Sequence, residues 1–214
     1  MPLPLEVELE FSHHVSNHVM GILKDDEVYR HLLFKDSKSD LHTFEIISWP
    51  NHLTINSTLG TYTVQEFDVN DVLEMLSKKT KPFYWGACRH TRFKDNFCLS
   101  LSHKKCEEIC KSYLDAWFED VDEMNRQQYP DLYLNIWSEL GPIRNAETRE
   151  KFVSEASKFN YEGFSFPKDI MEEDIMNYTH EFLWHCNAIY FGAKFYFKNI
   201  RTKESKTKMP SAKV

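Results

Sequence analysis

"SWPNHLTINSTLGTYTVQ", running from Ser48 to Gln65, decides the fold class. It reads as a strand, a Pro-Asn break, a second strand, "HLTINS", a Gly-bearing turn and a third strand, "TYTVQEF". The Pro50-Asn51 break and the Gly60-bearing turn are too short for anything but antiparallel hairpins. Upstream, "LHTFEIISW" (Leu41–Trp49) and "YRHLLFK" (Tyr29–Lys35) extend the same meander. In "LEVELEF", Leu5, Val7, Leu9 and Phe11 alternate with Glu6, Glu8 and Glu10, which predicts one more strand.

Downstream the period changes. "DVNDVLEMLSKK" predicts a short helix with Asp68 as its cap and Asp71 in its first turn, and "NFCLSLS" a short strand. From Ser102, a good N-cap, Cys106, Ile109, Cys110, Tyr113, Leu114, Trp117, Phe118, Val121 and Met124 recur at helical spacing. Pro130 and Gly141-Pro142 bracket a further helix, "DLYLNIWSEL", and "NAETREKFVSEASKF" another with Asn145 as its cap. Asp169 and Glu172 form a box-like start for the last helix. Through "IMNYTHEFLWHCNAIYFGAKFYF" that helix is apolar around much of its circumference, as expected of the central buried helix of the helical half. The plan is α+β: an N-terminal antiparallel meander of three to five strands packed against a C-terminal helical half. One domain is expected over residues 1–197, β-rich in 1–101 and helical in 102–197, with a flexible basic tail at 198–214.

Composition bounds the function. With 16 Phe, 10 Tyr and 5 Trp among 214 residues a core of ample area is available, and only 6 Gly and 8 Pro exclude a fibrous or repeat-rich chain. The net charge is -7; the tail holds six basic residues against Glu204, so residues 1–197 carry about -12. That balance opposes direct nucleic-acid binding by the body. No secretory signal pattern and no apolar run of roughly 20 residues is present, so no membrane span is expected. Five cysteines, an odd number, fit reduced thiols and a cytoplasmic location.

The residues with chemistry form few patterns. His103, Cys106 and Cys110 would share a helix face, but the two cysteines also lie on its apolar stripe, where free Cys packs as a small hydrophobe. His14 and His18 would share a helix face if residues 12–23 were helical, with no third ligand nearby. Neither a metal nor a cofactor is expected. The nucleophile elbow, phosphate-binding loop and dinucleotide glycine fingerprint are absent. A Cys-His pair, Cys88 with His90 or His185, is the nearest thing to a nucleophile and base, and a non-enzymatic role is favoured. Asp115, Glu119, Asp122 and Glu123, with Glu107 and Glu108 before them, line the outer side of a helix. They make either a solvated face or an acidic surface for docking to a basic groove.

Four ordered blocks carry a resemblance: "YRHLLFK", "FEIISWPNHLTINSTLGTYTVQ", "PFYWGA" and "EFLWHCNAIYFGAKFY". They resemble a family of proteins encoded by bacteriophages and prophages, in which the blocks read like Arg-His-Leu-x-Phe-Lys, Trp-Pro-Gly-x-Leu leading into Gly-Asp-Met-Gly-Thr-Tyr, and Phe-x-Trp with Ala-Ile after a spacer. Here Ser57-Thr58-Leu59-Gly60 stands in place of Gly-Asp-Met-Gly, and Asn51 in place of Gly. Thr58 cannot serve as a carboxylate acid or base, so an enzyme centred on this turn is disfavoured, whereas Thr58 and Thr61 could serve as contact groups. The resemblance implies phage origin and a bacterial host cell.

Two functions are therefore expected in competition. One is a phage-encoded binding protein that inhibits a host protein, such as a nucleic-acid-binding antiviral or CRISPR effector, with Trp137 beside Glu139 as a plausible anchor. The alternative is a small-ligand protein that sequesters or processes nucleotides. Its pocket would lie between sheet and last helix, with Arg30, His31, Lys35, Trp49 and His52 as its polar and stacking groups.

Overall fold

The structure is a computed structural model that describes residues 5–64, 69–79, 98–121, 127 and 129–207, the last seven of them by their backbone alone. The chain divides into two compact units, residues 1–98 with 179–214 and residues 99–178.

The first unit is built on a five-stranded antiparallel sheet in the order β1-β2-β3-β4-β5. Its strands are β1 (His18–Asp26), β2 (Tyr29–Asp36), β3 (Phe44–Trp49), β4 (His52–Ser57) and β5 (Gly60–Val64). Alternation sorts the side chains: Leu32, Phe34, Phe44, Ile46, Leu53, Ile55, Tyr62 and Val64 are buried on the inner face. Asn51, at φ 64, turns β3 into β4 so that Trp49 pairs with His52; this backbone is open to Gly and tolerated by Asn. Gly60, at φ 126, faces Ser57 across the next turn. The fold class is thus α+β, with a longer meander than the quoted stretch alone predicts.

Residues 5–11 are not a strand. They belong to α1 (Leu5–His14), in which Val7 and Phe11 are buried while Leu5 and Leu9 are exposed. The alternation was real but only every second apolar residue is used, so the i, i+4 spacing of Val7, Phe11 and then Val15 decides the outcome. The helix ends at His14 and His18 opens β1, so the two histidines do not share a helix face. After the sheet comes α2 (Val72–Ser77), whose N-cap is Asp71, accepting from the Glu74 amide at 2.9 Å. Asp68 lies outside the described residues.

The last helix, α7 (His180–Thr207), belongs to the unit that holds the sheet, not to the helical half. It begins at His180, because Asp169 and Glu172 instead belong to a separate 3-10 turn, Lys168–Glu172. It also runs to Thr207, into the stretch expected to be a loose tail. Trp184, Ala188, Ile189, Ala193 and Tyr196 are buried along it. At Gly192 the sheet and helix touch: a Cβ there would overlap Ile46 Cδ1 and lie 3.2 Å from Phe34 Cε2. Each fully buried aliphatic or aromatic side chain of this layer contributes about 1.5–3 kcal/mol.

The second unit contains β6 (Leu99–Leu101), α3 (His103–Asp120), α4 (Leu132–Glu139), α5 (Gly141–Arg144), α6 (Arg149–Lys158), the hairpin β7 (Asn160–Tyr161) and β8 (Phe164–Ser165), and β9 (Met176–Tyr178). Ser102 caps α3, as expected, accepting from the Lys105 amide at 3.3 Å. Thr148 rather than Asn145 caps α6, accepting from Lys151 at 3.2 Å. The core gathers Cys106, Cys110, Leu114, Ile136, Leu140, Phe152 and Phe164. Burial pushes the Cys110 thiol up to about 12, so the two α3 cysteines are inert packing while His103 faces solvent. Trp137 is packed at the edge of the same core, with the Arg144 guanidinium 4.1 Å from its ring centroid, and is not an exposed anchor.

Candidate functional site

The residues expected to converge on one pocket are split by strand alternation. Arg30 points to the inner face and is buried, whereas His31 and Lys35 lie on the outer face with Tyr29 and Leu33. Arg30 is the hub of an ion-pair network within the first unit. Its Nη1 donates to Asp71 at 2.8 Å and its Nε to the Tyr196 hydroxyl at 3.1 Å, and that hydroxyl donates to Asp25 at 2.7 Å. The guanidinium also lies 5.2 Å from the Tyr196 ring centroid and 5.3 Å from that of Phe197. Burial works against its charge, but Asp71 and Tyr196 outweigh that and raise its pKa. Tyr196 is pushed up to about 12, by burial first and then by its bond to Asp25. Arg30 ties the sheet to α2 and α7.

The Ser57–Gly60 turn has its own tether. His185 on α7 is 1% exposed. Its Nδ1 donates to the Glu181 carbonyl at 2.6 Å, so Nε2 is left as an acceptor for the Ser57 hydroxyl at 2.8 Å. The same hydroxyl accepts from the Leu59 amide at 3.0 Å. Burial lowers the His185 pKa, partly offset by the Glu181 and Gly60 carbonyls, and keeps the ring neutral. A serine aligned on an oriented histidine is also the geometry of an activated nucleophile. Here the hydroxyl is engaged by its own turn and the base is sealed in the core, so the pair pins the turn. His185 therefore has Ser57 as its partner; Cys88 and His90 lie outside the described residues.

On the outer face, His31 meets Glu45 at 3.1 Å, and Trp49 stacks on His52 with centroids 5.2 Å apart and planes 9° apart. The His52 Nδ1 reaches the Pro50 carbonyl at 2.8 Å, so it donates there. Thr61 donates to Asn56 at 2.6 Å beside a Thr54–Thr63 pair at 2.9 Å, while Thr58 and Lys35 are exposed. The other groups are paired with one another and with the backbone across the outer face. Among the described residues, a hollow of about 700 Å³ lies beside α2, lined by Val28, Asp71, Met75 and Lys78 among others. A groove of about 400 Å³ runs along Met20, Ile22, Phe195 and Asn199. The sheet–helix layer itself is filled at Phe34, Ile46 and Gly192, which leaves the expected pocket without support at that level.

Charge is segregated between the units. Residues 99–178 contain 17 acidic and nine basic residues, a net charge of -8, so of the total -7 the other unit carries about +1. Several of those nine cations are already engaged: Lys104 with Glu108 at 3.7 Å, Lys105 with Asp174 at 3.0 Å, and Arg144 with Glu107 at 3.9 Å. Of the expected acidic face, Asp115 accepts from the Tyr133 hydroxyl at 2.6 Å, Glu119 is exposed next to exposed Asp120, and Asp122 and Glu123 lie outside the described residues.

Among the described residues no three His, Cys, Asp or Glu side chains are grouped to hold a metal, and no helix is long and apolar enough to cross a membrane. Compared with known proteins, the chain matches no family model, no curated protein and no solved structure. Sequence reasoning overlooked Asp71 as the partner of Arg30 and Ser57 as the partner of His185. An acid at a helix cap and a serine before a Gly turn were the available local signals; their distant partners left none.

Proposed function

We propose that this is a non-enzymatic binding protein that docks its acidic unit, residues 99–178, on a cationic surface of another protein. The observation that carries the reading is the charge segregation, -8 on that unit against about +1 on the other. A concentrated field of one sign steers association with an oppositely charged partner and discriminates against acidic ones. The resemblance to phage-encoded proteins makes the partner a protein of the bacterial host, met in its cytoplasm. A nucleic-acid-binding antiviral effector, as in CRISPR systems, supplies the required basic groove, and occupying that groove would inhibit it. The engagement of Arg30 and His185 by the scaffold supports a role without catalysis.

The test is affinity capture of the tagged full chain from host cells across a salt series, with a Glu119→Lys, Asp120→Lys variant alongside. One stoichiometric host protein should be held, weakening about tenfold or more between low and high salt, and the charge-reversed chain should hold it less well at low salt. Capture of no protein, or capture indifferent to both salt and charge reversal, would overturn the reading.

A further inference from the structure

One cluster of titratable side chains has no part in the binding function. It joins the end of α1, the start of β1 and the loop between β2 and β3, all within the first unit. The rings of His14 and His42 lie face to face, with centroids 3.6 Å apart and planes 8° apart. His42 is held at φ 58, and its carbonyl accepts from His18 Nε2 at 3.0 Å. Trp184 Nε1 on α7 donates to His14 Nδ1 at 3.3 Å, so His14 carries its proton on Nε2, 3.8 Å from Glu10. The second oxygen of Glu10 meets His180 at 2.7 Å, and the His13 ring lies 6.4 Å from His14. His18 Nδ1 and His42 Nδ1 are both buried without a hydrogen-bond partner.

We propose that the loop between β2 and β3 is an acid-released clasp, held on α1 by the uncharged His14–His42 stack and let go when a ring in that stack takes up a proton. In the doubly protonated His42 ring, Nδ1–H would be a buried donor with no acceptor, and the cation would face the His14 ring at stacking distance. The ionisable groups that act on His42 are His14 and Glu10 from α1 and His18 from β1, and of these only Glu10 would favour the charge. Burial first, then His14 and His18, lower the pKa of His42 from 6.5. The seated loop therefore binds this proton less well than the released loop. Seating is complete above the ordinary histidine pKa and is lost as the pH falls below it. Release would uncover Trp184, whose ring lies 6.3 Å from His42 and packs edge-on against Phe44 at 5.8 Å.

Amide hydrogen exchange of the full chain, corrected for intrinsic rates, tests this at about pH 7.5 and about pH 5.5. The amides of residues 37–43 should lose about tenfold or more of their protection at the lower pH while those of β3 and β4 keep theirs. His42→Asn removes the titrating ring yet suits the left-handed backbone, and its loop should show equal protection at both pH values. His14→Gln is the second variant and should also flatten the response. A wild-type loop indifferent to pH, or a pH response undiminished in both variants, would overturn the proposal.

Discussion

Arg30 shows how one residue's position in a strand outweighs its chemistry. As an arginine beside His31 it invites a ligand-binding reading, but even-numbered residues of β2 face inward and Arg30 is enclosed by Asp71, Tyr196 and Asp25. Removing one partner of a buried ion pair strands the other charge. Arg30→Met should therefore lower unfolding stability by roughly 3 kcal/mol in urea titration, whereas Tyr196→Phe, which deletes only the hydroxyl, should cost about 1 kcal/mol. Equal losses would refute the hub. The faces of β2 were legible in its alternation; the identity of Arg30's partners was not, because Asp71 and Tyr196 come from elements far along the chain. His185 adds a pH dependence. Its pKa is lowered from 6.5 by burial, so the unfolded chain takes up the proton first. Its contribution to stability is whole above that value and declines as the pH drops below it. Urea midpoints should fall on acidification below about pH 6.5, and His185→Gln should reduce the slope, leaving the share due to His42.

Among the elements, α1 and α7 carry the lessons. Four apolar residues in strict alternation read as a strand, yet Leu5 and Leu9 stay exposed and the helix is fixed by Phe11 packing edge-on against Trp184 at 5.2 Å and Phe191 at 5.8 Å. Tertiary packing overrode a local period. For α7 the apolar circumference correctly announced burial, but periodicity tells that a helix is covered and not by what. Its partner is the sheet, and at Gly192 the two are too close for a Cβ to fit without Ile46 shifting. Gly192→Ala gains helix propensity but should still destabilise by about 1–3 kcal/mol through overpacking. Ile46→Val removes the Cδ1 that the new methyl would meet, so the pair should recover much of the loss in a double-mutant cycle. Strict additivity would sink this account of the interface.

At the scale of the molecule, the α+β class and the antiparallel meander were readable from strands whose turns are short and chemically explicit, Asn51 and Gly60 foremost. The division into units was not, because the unit with the sheet is assembled from both ends of the chain. Net charge hid in the same way: a total of -7 reads as a mildly acidic protein until residues 99–178 are counted alone. The insertion leaves and returns at one place, where Thr179 donates to the Cys98 carbonyl at 3.0 Å and Leu99 pairs with Tyr178. That arrangement sets an order of events on the ribosome. The sheet is synthesised before its covering helix, with an entire helical unit translated in between. Phe34, Phe44, Ile46 and Leu53 must therefore wait, uncovered by α7, until residues 99–178 have been translated, and a nascent chain in that state needs either a chaperone or speed.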